Sequence, residues 1–176
     1  MAAPDILDAT TPLTGQWWLK AAQAAIRRFC GWHVAPILSE TLRVDAYGGR
    51  VLELPSKHVT KLESVMVGGV DWLDRLDWSE AGTLQLKRGR GHWPDAPGAV
   101  EVTLEHGWSA EDVPEVAALI VTIGKRARTQ PGVVSSQSVN GASVSYQTAG
   151  GAPLSVPLLG IEKEMLEPYR VNWGPR

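Results

Sequence analysis

The sequence predicts an α+β fold: an N-terminal helix, central short antiparallel β hairpins, a long helix, a flexible hairpin loop and a short C-terminal docking helix. Three observations carry this expectation. Apolar residues recur at helical spacing in three separate stretches, within residues 14–30, 113–128 and 158–169. Between the first two, short alternating runs are punctuated by Gly48-Gly49 and Gly68-Gly69, the pattern of strands and turns. At 176 residues, 44% hydrophobic and 20% charged, the chain has the size and composition of one ordinary globular domain.

Residues 1–11 read as a flexible arm. Thr11-Pro12 offers a cap and a first-turn proline for the first helix, with Thr14 as a rival cap. Trp18, Ala22, Ala25, Ile26 and Phe29 form its apolar stripe, and Arg27 and Arg28 complement the dipole at its end. Gly31 suits the left-handed residue that closes a helix, and Pro36 prevents its resumption. The alternating runs Thr41–Val44 and Val51–Leu54 flank Tyr47-Gly48-Gly49-Arg50, a hairpin signal. Val59–Val67 reads as a strand returning through Gly68-Gly69 into Val70–Leu73. Thr83–Leu86 and Ala99–Leu104 read as a further pair, joined by a loop over residues 87–98.

For the long helix, Asp112 with Glu115 three residues on has capping-box spacing, and Pro114 falls in the first turn. Its expected buried face is Val113, Val116, Ala117, Ile120, Ile123 and Ala127. Residues 132–155 read as a flexible loop holding a small hairpin, Ser138–Tyr146, around Asn140-Gly141. In the closing segment, residues 156–176, the expected apolar face is Leu158, Ile161, Met165, Leu166 and Tyr169, with Glu162, Lys163, Glu164 and Glu167 on the polar side. The core domain is thus expected over residues 12–131. A short helix tethered by a Gly/Ser-rich stretch is a natural docking element.

The net charge of −2 and pI near 6.1 argue against a protein whose main task is gripping nucleic acid. One cysteine excludes an internal disulfide and suits a reducing compartment. The N-terminal residues MAAPDILDATTP hold no apolar signal core, and the longest apolar run, around Val116 to Ile123, is far short of the ~20 residues of a membrane span. A soluble protein made in a cytoplasm is expected.

Eight tryptophans stand beside one Phe and three Tyr. Adjacent Trp17 and Trp18 cannot share one narrow helix stripe, so this pair is the expected subunit interface. Trp32 is expected in the core.

The residues offer little chemistry. Cys30 lies at a helix C-terminus, where the dipole opposes a thiolate, so it reads as a small buried apolar residue rather than a nucleophile. His33, His58, His92 and His106 stand far apart in sequence and lack zinc-ligand spacing. The glycine-containing turns lack the Lys-Ser/Thr of a phosphate loop. No catalytic residue, no metal and no cofactor are expected. The run Lys87-Arg88-Gly89-Arg90-Gly91-His92-Trp93 reads as a solvated loop with Trp93 folding back on the core. If DNA passes nearby, its candidate contacts are Lys87, Arg88 and Arg90, with Lys125, Arg126 and Arg128 at the long helix's end.

Several stretches, taken in order, resemble one known family. They are Ile26-Arg27-Arg28-Phe29-Cys30-Gly31-Trp32-His33-Val34-Ala35-Pro36; Leu52-Glu53-Leu54-Pro55 followed by Val59–Val65 and Val67-Gly68-Gly69; Val102-Thr103-Leu104-Glu105-His106-Gly107-Trp108; and Val113-Pro114-Glu115-Val116. The hairpin near Val144-Ser145-Tyr146 and the closing Leu158-Leu159 to Tyr169-Arg170 also fit. Over about residues 14 to 170 the chain resembles the head–tail connector proteins of long-tailed phages, also called adaptor or head completion proteins.

That resemblance implies a non-enzymatic structural subunit of the virion neck, made in the host bacterial cytoplasm. It implies a ring, commonly of twelve copies, that joins the capsid portal to a stopper or tail-terminator neck protein while double-stranded DNA passes through the lumen. It implies no membrane partner. It makes Leu158, Leu159, Ile161, Met165, Leu166 and Tyr169 the portal-docking element. The paired Trp17-Trp18 and the segment from Asp71 to Trp78 depart from the family pattern. Two other readings stand beside it: a stopper or tail-completion neck protein, and a small cytoplasmic enzyme with a site built from loop residues such as Arg90, His92 and Asp95. A nucleic-acid binder acting through the basic loop is a third.

Overall fold

The computed structural model describes residues 12–129 and 158–171, together with the backbone of four short strands between them. The expected arm over residues 1–11, most of the loop over 132–155 and the tail beyond 171 lie outside the described residues. The architecture is α+β. The chain divides into two compact units: Met1–Ile26 with Glu115–Met165, and Arg27–Pro114 with Leu166–Arg176. The expected core range, residues 12–131, is shared between them.

The first unit is mainly helical. Helix α1 spans Gly15–Cys30, its last turn belonging to the second unit. The Trp17 backbone N–H donates to the Thr14 hydroxyl at 3.3 Å, so Thr14 is the cap rather than Thr11. Helix α2 spans Pro114–Thr129 and buries Val116, Leu119, Ile123, Gly124 and Ala127. Leu119 thus replaces the expected Ala117, which is exposed, and Ile120 is half-buried. Leu19 of α1 packs close at Gly124: a Cβ there would stand 3.0 Å from Leu19 Cδ2.

The expected small hairpin is present. Strands Ser136–Val139 and Ala142–Ser145 pair antiparallel with Val139 opposite Ala142. Two-residue strands at Thr148–Ala149 and Ala152–Pro153 pair likewise. Helix α3 spans Gly160–Leu166 and continues as a 3₁₀ turn over Glu167–Tyr169.

The second unit is mainly β. Its strands are β1 (Leu38–Tyr47), β2 (Val51–Glu53), β3 (Val59–Val67), β4 (Val70–Asp71), β5 (Leu76–Trp78), β6 (Thr83–Leu86) and β7 (Asp95–His106). They form a four-stranded sheet ordered β1-β7-β3-β4 and a three-stranded sheet ordered β2-β6-β5, all antiparallel. One apolar cluster draws Val44, Ala46, Val65, Val100, Val102 and Leu104 from the first sheet and Leu52, Leu76, Leu84 and Leu86 from the second. Each such valine or leucine contributes about 1.5–3 kcal/mol on burial.

Two expected pairings are corrected. Strands β1 and β2 do not form a hairpin; β1 pairs with β7 from Leu38↔His106 to Tyr47↔Asp95, and β2 pairs with β6. Gly48 and Gly49, at φ 72° and 74°, instead carry the chain from one sheet into the other. This turn is held by Gly48 N–H on the Pro94 carbonyl and by Trp93 N–H on the Gly49 carbonyl. Likewise β6 pairs with β2 and β5, not with β7. A central strand as long as β7 buries more apolar surface between β1 and β3 than beside a four-residue strand. The Gly68-Gly69 turn, by contrast, closes a two-residue hairpin with Val67 opposite Val70, as expected.

Candidate functional site

The corner after α1, in the second unit, gathers a set of polar and aromatic contacts. Gly31, at φ 81°, ends the helix, its N–H bonded to the Arg27 carbonyl. Val34 then adopts φ 65°, a strained conformation for a β-branched residue, and it is buried. The Ala35-Pro36 peptide is cis. The Val34 carbonyl accepts the Trp108 N–H at 2.9 Å, which ties the corner to the chain just past β7.

Aromatic rings gather there. Trp32 is buried and lies 5.2 Å from Trp108 and 6.0 Å from His106, ring centre to ring centre. His33 meets His106 edge-on at 4.4 Å, and His58 stacks on Trp108 at 4.9 Å. Tyr169 stands edge-on to Trp108 at 5.2 Å. Three of the four histidines, far apart in sequence, therefore converge. Only His92 stays away, exposed in its loop.

The protons on these rings follow from their partners. A carbonyl only accepts, so His33 Nε2–H donates to the His106 carbonyl at 3.2 Å and His58 Nδ1–H to the Gly107 carbonyl at 2.9 Å. His106 Nε2–H donates to Glu40 Oε1 at 2.9 Å. His106 is 1% exposed, and its Nδ1 has no hydrogen-bond partner. Burial and the neighbouring His106 hold the His33 pKa below its ordinary value, against weaker opposing pulls from the carbonyls of His106 and Pro36 and from Glu40. Gly107, at φ 107°, makes this packing possible: a Cβ would sit 2.5 Å from His33 Nε2 and 2.7 Å from the Pro36 carbonyl oxygen.

Cys30 is fully buried at the same corner. Burial first, then the Glu167 carboxylate, push its thiol up to about 11 against the pull of Arg170. It is not an activated nucleophile. Its backbone carbonyl accepts the Val171 N–H at 2.8 Å, and the Trp32 indole donates to the Tyr169 carbonyl at 2.7 Å.

These bonds redistribute the expected docking element. Leu166 is 1% exposed and Tyr169 is half-buried, so both are engaged by their own chain. Leu158 and Leu159 are half-buried. Ile161 and Met165 alone stand free, at 67% and 46% exposure. The expectation that Glu162 faces solvent is overturned. Glu162 is 4% exposed, paired with Arg126 through both guanidinium nitrogens, and accepts the Leu159 N–H at 2.8 Å. The helix is rotated because one buried carboxylate with three donors is better satisfied than two more apolar contacts on so short an element.

The candidate DNA contacts fall into two groups. Arg126 is drawn away by Glu162, and Lys87 leans on Asp77 at 3.9 Å and donates to the Asp74 carbonyl. Arg88, Arg90, Lys125 and Arg128 are exposed. Trp93 folds back as expected, 3% exposed, its indole donating to the Arg50 carbonyl. Trp17 and Trp18 are both half-buried and meet edge-on at 4.7 Å, so each covers part of the other. Arg90, His92 and Asp95 are all exposed, which gives a loop-built enzyme site no enclosed setting.

Among the described residues no helix is long and apolar enough to cross a membrane. No family model matches the chain, and no curated protein matches it.

Proposed function

We propose that this protein is a structural subunit of a tailed-phage neck, forming a ring between the capsid portal and the tail-proximal neck proteins. The order of its sequence motifs suggests the reading. The observation that carries it furthest is the free apolar pair Ile161 and Met165 on α3, an element of seven residues. A helix this short is marginal alone, and here it is anchored on one side by the Arg126–Glu162 pair while the other side is left apolar and open. That arrangement suits a docking element held ready for a partner groove. The exposed Arg88, Arg90, Lys125 and Arg128 suit a lumen that DNA traverses, and the net charge of −2 suits passage without tight binding.

The test is association with the portal in infected cells and in purified particles. The wild-type chain is expected in virions, copurifying with portal. The double substitution Ile161→Asp with Met165→Asp is expected to retain its circular dichroism and thermal midpoint yet fail to copurify. Absence of the protein from virions sinks the reading. Copurification with tail components but not portal favours a stopper or tail-completion role.

A further inference from the structure

We propose that His33, Glu40 and His106 form a binding site for a divalent transition metal of the zinc class. Each side chain offers one ligand atom, and the three atoms all lie within 4.8 Å of one another. Two imidazoles and one carboxylate are a donor set that zinc, cobalt and nickel accept, and one that hard cations such as magnesium disfavour.

The placement of the three is built into the fold. Leu38 on β1 is the register partner of His106 on β7. Glu40 is two residues along the same strand, so its side chain projects from the same face as Leu38 and reaches His106 diagonally. His33 comes from the corner between α1 and β1 and reaches His106 past Gly107, which has no side chain to stand in the way.

His106 is 1% exposed and presents Nε2 to Glu40. Glu40, by contrast, has a side chain 42% exposed, which leaves a route of entry from solvent.

The change needed is small. Metal–ligand bonds of about 2.0–2.2 Å in tetrahedral geometry hold ligand atoms about 3.3 Å apart, so the set must draw in by at most about 1.5 Å. The Nε2–Oε1 separation of 2.9 Å already lies near that value. The half-buried His33 and the exposed Glu40 can rotate to supply the rest. Three protein ligands leave a fourth position for water. The ion would brace β1, β7 and the corner together.

The experiment uses the full chain, freed of metal by chelation, with Co(II) and Zn(II) as probes. One equivalent of Co(II) is expected to give tetrahedral ligand-field absorption, and Zn(II) to displace it and raise the thermal midpoint. Glu40→Gln, at an exposed position, is expected to fold normally and to weaken Zn(II) binding at least tenfold; His33→Gln is expected to do the same. His92→Gln, at the exposed histidine outside the cluster, is expected to change nothing. No ligand-field spectrum, or equal Zn(II) affinity in wild type, Glu40→Gln and His33→Gln, overturns the proposal.

Discussion

The Trp32 indole nitrogen donates to the Tyr169 backbone carbonyl at 2.7 Å, joining residues 137 positions apart. Together with the Val171 N–H on the Cys30 carbonyl, it fastens the closing segment to the end of α1. Trp32→Phe keeps most of the ring area and removes the donor. It is expected to destabilise the protein by about 1 kcal/mol, the net worth of one part-buried hydrogen bond. Urea denaturation checks this, and Trp173→Phe, outside the described residues, serves as a fluorescence control.

The Arg126–Glu162 pair is the best-shielded ion pair among the described residues, with side-chain exposures of 16% and 5%. Removing one partner strands the other. Glu162→Leu or Arg126→Leu alone is expected to cost about 3–5 kcal/mol, whereas the double substitution costs much less than their sum. A thermodynamic double-mutant cycle measures the difference, and additive losses would contradict the pairing.

Gly107→Ala is expected to be among the most damaging alanine substitutions. It forces a side chain into φ 107° and drives a Cβ to 2.5 Å from His33 Nε2. The expected loss exceeds about 2 kcal/mol, combining left-handed strain with overpacking. Gly68→Ala is the comparison: its φ is 57° and no atom lies within 4 Å of the added Cβ, so only the backbone strain applies. Chemical denaturation of the two variants separates clash from strain.

His33 sets a direction for pH dependence. Its folded pKa lies below the ordinary 6.5, so the unfolded chain binds more protons through this group than the folded chain. The contribution is complete above 6.5 and is lost as pH falls through that value towards the folded pKa. The denaturation midpoint is therefore expected to drop between about pH 7 and pH 5, and His33→Asn to flatten that part of the profile. Glu40 and His106 face the same group, so the Glu40→Gln profile should be recorded beside it. An unchanged slope in His33→Asn would contradict the assignment.

The sequence by itself determined the elements whose causes are local. Gly31 ends α1, Gly68-Gly69 closes β3 onto β4, the small hairpin meets at Val139 and Ala142, and Trp93 returns to the core. Caps, two-residue turns and helical periodicity act over four residues or fewer, so they can be read from a window. Only the tertiary structure decided which strands pair, which face of α3 is buried and which histidines meet. Strand β1 takes β7 as its partner, with Leu38 opposite His106, because central strands compete for apolar cover across the whole unit. Glu162 turns inward because Arg126, 36 residues earlier, reaches it. The histidines converge because a strand register and a glycine without a side chain act together. None of these leaves a spacing in the sequence, since each depends on which distant segment wins the contact.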